Sequence, residues 1–116
     1  MEATGTAQSF YRIIPHDRSR LDDFLSIEEL GLPLIRELSP VQAHRWMGLS
    51  MVDSLPNAIA QQQRSRRLGN NIAEVSLLET NQWMAERTGR SHGHWTVWAE
   101  AELLLRSVVA IIPVDN

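Results

Sequence analysis

The chain has 116 residues, 43% of them hydrophobic and 22% charged, with a formal net charge of −3. That length and balance predict one folded domain with a real core, too short for two. Cysteine is absent, which excludes a disulfide framework, a thiol nucleophile and a thiolate metal site, and the longest apolar run, Val108 to Val114, is far too short to span a bilayer.

All eleven basic residues are arginine. A GC-rich coding sequence explains this without function; anion recognition is the alternative, since a guanidinium presents a planar fork of donors to phosphate or carboxylate. With a net negative chain, contact with nucleic acid needs a local basic patch. The opening residues lack a basic stretch followed by an apolar core. The expectation is a cytoplasmic protein with no membrane association.

In chain order, residues 1–8 are small and polar and read as a disordered tail, leaving 9–116 as the domain. Ser9 to Ile14 has the aromatic and β-branched content of a strand, ended by Pro15. Ser19 is placed to cap a helix from Arg20 to about Leu30, with Leu21, Phe24, Leu25, Ile27 and Leu30 on its buried stripe. Residues 31–38 read as a connector. Ser39, Pro40 and Gln42 make a good helix start, and the helix runs to Trp46 or Met47 before Gly48. Leu49 to Val52 reads as a short strand. Asp53 or Ser54 caps a helix from Leu55 to about Arg67, with Gly69 just past its end.

Asn71 to Leu78 alternates as a strand, and Trp83-Met84 falls in a polar loop or hairpin arm. The chain closes on strand, short helix and strand: His94 to Trp98, Ala99 to Ser107, and Val108 to Val114. The last helix is near the minimum length for a parallel crossover. The predicted fold is therefore α+β, a single compact domain with a small mixed or split sheet of four to five short strands and about four short helices.

Arg12 alternates with Tyr11 on the first strand, and burying it requires a partner or a bound anion. It reads either as an anion-binding residue in a cleft, or as an edge arginine in solvent or paired with a carboxylate such as Glu74. His92 and His94 project from one side of an extended segment, workable for two metal ligands if His44, His16 or a carboxylate supplied a third. His94 at a strand entrance beside Trp95 also reads as a hydrogen-bonding or acid–base residue. Ser50 lacks the second glycine of a nucleophile elbow, because Val52 stands there, and no Gly-rich phosphate loop is present. Arg64, Arg66 and Arg67 suit a helix C-terminus; with Arg87 and Arg90 they read alternatively as a nucleic-acid patch. The tryptophans read as core and rim, with Trp95 and Trp98 on opposite faces of their strand.

The order of these blocks resembles the small ADP-ribosyltransferase-like fold. Ser9-Phe10-Tyr11-Arg12 resembles the first strand that helps hold NAD in that family. Gly48 to Ser54 and the helix through Ala58 resemble its serine motif, with Ser50 in the serine position. The resemblance implies NAD as the cofactor, Arg12, Ser50 and Trp98 as cofactor-binding residues, and His94 and Glu100 as catalytic candidates. It breaks at the catalytic glutamate. The late strand reads His94-Trp95-Thr96-Val97-Trp98, and the nearest acids, Glu100 and Glu102, lie at a helix start. Without a carboxylate facing the ribose, an oxocarbenium-like transition state loses its electrostatic support. The implied function is thus a nucleotide-binding domain, catalytically degenerate unless Glu100 substitutes. Phe10-Tyr11-Arg12 and Gly93 to Thr96 also resemble blocks of small uncharacterised bacterial proteins.

The alternative function is a protein-interaction module, such as an accessory protein of a bacterial toxin or defence system, supported by an exposed patch of Trp83, Met84 and nearby arginines. Geometry distinguishes the two. The enzyme needs Arg12, Ser50 and a carboxylate in one pocket; the module needs them scattered beside a flat apolar patch.

Overall fold

The computed structural model describes residues 7–26, 29, 39–89 and 93–114. Six strands form one sheet: β1 (Ala7–Ile14), β2 (Leu49–Val52), β3 (Asn71–Leu78), β4 (Trp83–Arg87), β5 (His94–Ala99) and β6 (Val108–Pro113). The described helices are α1 (Pro40–Trp46), α2 (Leu55–Arg64) and α3 (Ala101–Arg106), with 3-10 turns at Leu21–Phe24 and Arg66–Leu68. No described helix is long and apolar enough to cross a membrane.

The strand order is β4-β5-β2-β1-β3-β6, and every neighbouring pair is antiparallel. This α+β sheet corrects the expectation of four to five strands in a mixed arrangement. The additional strand is β4, where Trp83 and Ala85 pack inward while Met84 and Glu86 point out. The closing strand–helix–strand block is not an adjacent parallel crossover. Instead α3 carries the chain from β5 to β6, four places away in the order. Its end is fixed by Ser107, whose N–H and hydroxyl both donate to the Leu103 carbonyl.

The strand β1 begins at Ala7 rather than Ser9, because Ala7 and Gln8 pair with Leu78 and Leu77. Residues 1–6 of the expected tail lie outside the described part, as do the whole 31–38 connector and Ile27 and Leu30 of the helix expected from Arg20 to Leu30. Within the described residues that helix is only the turn Leu21–Phe24. Leu25 is already extended, at φ −86° and ψ 134°. A capping box restarts the backbone at Ser26, whose N–H donates to Glu29 Oε1 at 3.0 Å while its hydroxyl accepts from the Glu29 N–H at 3.2 Å.

Other expectations hold. Ser39 and Gln42 form the reciprocal box that starts α1. Ser54 caps α2 by accepting from the Asn57 N–H at 3.2 Å, and the C-terminal part of the expected helix becomes the Arg66–Leu68 turn closed by Gly69 at φ +136°.

Alternation divides the sheet into two unlike faces. One carries Phe10, Ile14, Met51, Val75, Leu77 and Val97, sealed by Phe24 of the first 3-10 turn and by Ala101 and Leu104 of α3. Burying each large side chain of this set contributes about 1.5–3 kcal/mol. The opposite face has a smaller cluster of Val52, Ala58 and Ile72 under α2, with Tyr11, Ile13 and Ile112 packed against it, and turns polar across β2, β5 and β4 at Ser50, Thr96 and Glu86. Trp95 packs edge-on against Phe10 in the main core, whereas Trp98 lies on the polar face, as their spacing predicts. The Trp46 side chain is outside the described part.

Candidate functional site

The strands β1 and β2 are joined at a single register pair, Tyr11↔Val52. Where the ladder stops, the Arg12 side chain bridges the gap. Its Nη1 donates to the Ser50 carbonyl at 2.8 Å and its Nε to the Asp23 carbonyl at 2.6 Å. The guanidinium thus supplies Ser50 with the hydrogen bond that a continuing β1 ladder would have given. The 3-10 turn holds Asp23 in place, since its carboxylate accepts from the Arg20 N–H at 2.8 Å and Phe24 is buried beside it.

Both Arg12 partners are neutral carbonyls. Among the described residues no carboxylate lies within ion-pair distance of it. Burial pushes the guanidinium down to about 10, and the nearby Asp23 charge only partly offsets this. Arg12 is therefore cationic at neutral pH and without a direct counter-ion. Glu74 is not its partner: it stands opposite Tyr11, whose side chain points to the other face.

A cavity of about 230 Å³ opens at this junction, lined by Tyr11, Arg12, Ile13, Ser50, Gln61 and Leu68. Tyr11 forms one wall, its phenol pushed above the usual range by burial and secondarily by Glu74. Gln61 and Leu68 come from the end of α2 and the turn after it. The cavity therefore combines the polar side chains of Tyr11, Ser50 and Gln61 with two aliphatic walls. Arg12 alternates onto the opposite face with Phe10 and Ile14 and borders the cavity at the open β1–β2 junction, where Nη1 meets the Ser50 carbonyl. The set is suited to a small anionic ligand.

Register extends the polar face beyond the cavity. Ser50 stands opposite Thr96, and Thr96 opposite Glu86. His94 and Trp98 flank Thr96 on the same face, so Ser50, His94 and Trp98 are neighbours on one surface, while Arg12 alternates onto the opposite face and reaches Ser50 only through its carbonyl. They do not share the cavity. His94 is turned to β4, where Nδ1 donates to the Thr88 carbonyl at 3.0 Å and meets the Thr88 hydroxyl at 3.2 Å. This leaves Nε2 as the acceptor in the neutral ring. The Thr88 hydroxyl also bonds that of Thr96 at 2.7 Å. Trp98 stacks on His44, with centroids 4.3 Å apart, and donates Nε1 to the His44 carbonyl at 2.8 Å.

Glu100 does not join Arg12 and Ser50. It lies one residue past β5, at the start of α3, and lines a separate polar cavity of about 270 Å³ with Thr80, Asn81, Gln82, Leu103 and Arg106. Register brings two carboxylates to the Ser50 face, Glu74 opposite Tyr11 and Glu86 opposite Thr96, and sequence reasoning missed Glu86. The available signal was alternation within Trp83 to Arg87, which puts Glu86 opposite the inward Trp83 and Ala85.

The expected basic patch divides. Arg64, Arg66 and Arg67 are exposed together at the end of α2. Arg87 lies apart from them in contact with the start of α2, 3.8 Å from Asp53 and 5.7 Å from the Trp95 ring centre. Arg90 and His92 are outside the described residues. Trp83 packs edge-on against Phe10 and donates to the Leu78 carbonyl, so the exposed Met84 does not share a patch with it. No group of three His, Asp or Glu able to hold a metal is found among the described residues. Comparisons with protein-family models, curated proteins and solved structures gave no match to this chain.

Proposed function

We infer that this protein is an ADP-ribosyltransferase-like domain that binds a nucleotide of the NAD class at the β1–β2 junction without turning it over. The observation that carries the reading is Arg12, a half-buried guanidinium at a break in the sheet, bonded to neutral carbonyls alone. A cation kept there at a desolvation cost is an anion site in waiting. Ser50 and Gln61 supply neutral donors beside it, and Tyr11 supplies a ring wall. Turnover at a ribose requires a carboxylate at the reacting carbon. Glu100 faces a different cavity, and no described carboxylate lines this one. Binding without catalysis is what this arrangement supports.

The test is calorimetric titration with NAD of the wild type, Arg12→Lys, Arg12→Ala and His94→Ala. Binding lost with Arg12→Ala, weakened by Arg12→Lys and kept by His94→Ala supports the cleft. Nicotinamide release by the wild type would overturn the degenerate assignment. No heat from folded wild-type protein at millimolar NAD would overturn the nucleotide reading.

A second reading is favoured by one observation. Between α1 and β4 lies a more apolar cavity of about 290 Å³, lined by Pro40, Val41, His44 and Glu86, with the exposed Val41 and Met84 on the elements that form it. A protein partner docking there is the interaction-module function. It predicts that Met84→Glu abolishes partner capture while NAD leaves capture unchanged.

A further inference from the structure

The mouth of the Arg12 cavity has an unusual charge. Gln61 and Leu68 line the cavity, and the chain between them carries Arg64, Arg66 and Arg67, all exposed. From Ser54 to Ala73 the sequence holds these three arginines and no acid, in a chain whose net charge is −3. Among the described residues none of the three has an ion-pair partner.

Capping does not account for them. The carbonyls of Gln61 and Gln62 at the end of α2 already accept from the Ser65 N–H, at 2.9 and 3.2 Å. The Ser65 and Arg66 carbonyls accept from the Leu68 and Gly69 N–H groups at 3.0 and 3.2 Å. A helix C-terminus gains from one nearby cation, but three arginines within four residues of sequence, none with an ion-pair partner among the described residues, repel one another. The cluster gains if an anion is held among them.

We propose that Arg64, Arg66 and Arg67 form an outer anion subsite at the mouth of the Arg12 cavity, so that the ligand is a small diphosphate ester. Arg12 takes the inner phosphate and the arginine run the outer one. This rests on the nucleotide reading of the cavity, and it adds that affinity is set by the number of phosphates. The two subsites also differ in screening: the outer one is in solvent and weakens with salt, whereas Arg12 is half-buried and screened less.

The experiment is calorimetry with AMP and ADP on the wild type, Arg12→Ala and the triple variant Arg64→Ala, Arg66→Ala, Arg67→Ala. The wild type is expected to bind ADP about tenfold tighter than AMP, the effect of one added charge-assisted contact. The triple variant, altered only at exposed positions, binds both alike at the wild-type AMP affinity. Arg12→Ala loses both. Salt at about 1 M, where screening acts over about 3 Å, erases the ADP advantage in the wild type.

Equal affinity for AMP and ADP in the wild type, or an ADP preference that survives in the triple variant, overturns the outer subsite and leaves the cavity reading standing. Failure of the wild type to bind either nucleotide overturns both. A terminally phosphorylated oligonucleotide that binds tighter than ADP overturns the small-ligand assignment and transfers the arginine run to nucleic acid.

Discussion

The indole N–H of Trp95 donates to Asp53 Oδ2 at 3.0 Å, joining residues 42 apart in sequence. Asp53 Oδ1 accepts from the Asn57 amide at 3.3 Å, and the Asp53 N–H donates to the Gly93 carbonyl at 3.0 Å. One carboxylate thereby fastens the start of α2 to the entry of β5. Trp95→Phe keeps the ring contact with Phe10 and removes the donor. It is expected to cost about 1–3 kcal/mol in urea denaturation, the cost of losing a hydrogen bond to a charged group. A loss below about 0.5 kcal/mol, the range of neutral surface changes, would show that water replaces the indole.

Gly93 sits at φ +76°, where an L side chain is strained, and a Cβ there would run into the Asn57 amide and the Asp53 carboxylate. Gly93→Ala should therefore destabilise by roughly 1–3 kcal/mol from backbone strain, with steric displacement added. Thermal melting against the wild type checks this. An unchanged midpoint would mean that the turn relaxes without loss.

Tyr11 gives an alkaline signature. Its folded pKa is raised above the ordinary 10.0, by burial first and Glu74 second. Between the unfolded and folded values the native state keeps a proton that the unfolded chain has lost. Stability from this group is thus complete below pH 10.0 and falls as pH rises through that window. Arg12, depressed to about 10, acts in the opposite sense at higher pH, so the comparison must be against Tyr11→Phe. The wild-type minus Tyr11→Phe stability difference should be more negative at about pH 11 than at about pH 9. A difference that does not change with pH would refute the assignment.

His44 and Trp98 hold α1 against the polar face by stacking at 4.3 Å with an interplanar angle of 19°. A double-mutant cycle with His44→Ala and Trp98→Leu should return a coupling of about 0.5–1.5 kcal/mol. The Trp98 bond to the His44 carbonyl survives His44→Ala, so the cycle isolates the ring contact. Additive losses would show that the rings only share a surface.

Local signals were legible where one short-range device fixes the backbone. The Ser39–Gln42 box, the Ser54 cap and the alternation of Asn71 to Leu78 each mark an element within a residue or two. The Ser26–Glu29 box was equally readable, but the apolar spacing of Leu21, Phe24 and Leu25 obscured it. Strand order was not legible. β6 pairs with β3 through contacts such as Ile72↔Ile112, and no local preference encodes that choice. The same division holds at the site. Alternation placed Trp98 opposite in sense to Trp95, but that His94 shares a face with Ser50 follows from the register of β2 on β5. That Arg12 bridges to the Ser50 carbonyl depends on where the β1–β2 ladder stops, which is a tertiary outcome.

The single pair joining β1 to β2 has a kinetic consequence. It divides the sheet into β1-β3-β6 and β2-β5-β4, and the chain changes sides four times as it builds them. No contiguous stretch of chain contains one half without strands of the other. Neither half is then an independent folding unit, and pairings such as Phe10↔Val75 must wait for long loops to close. Folding falls in the slow regime of non-local topologies, on the order of milliseconds to seconds, and proceeds as one transition in which the two halves appear together.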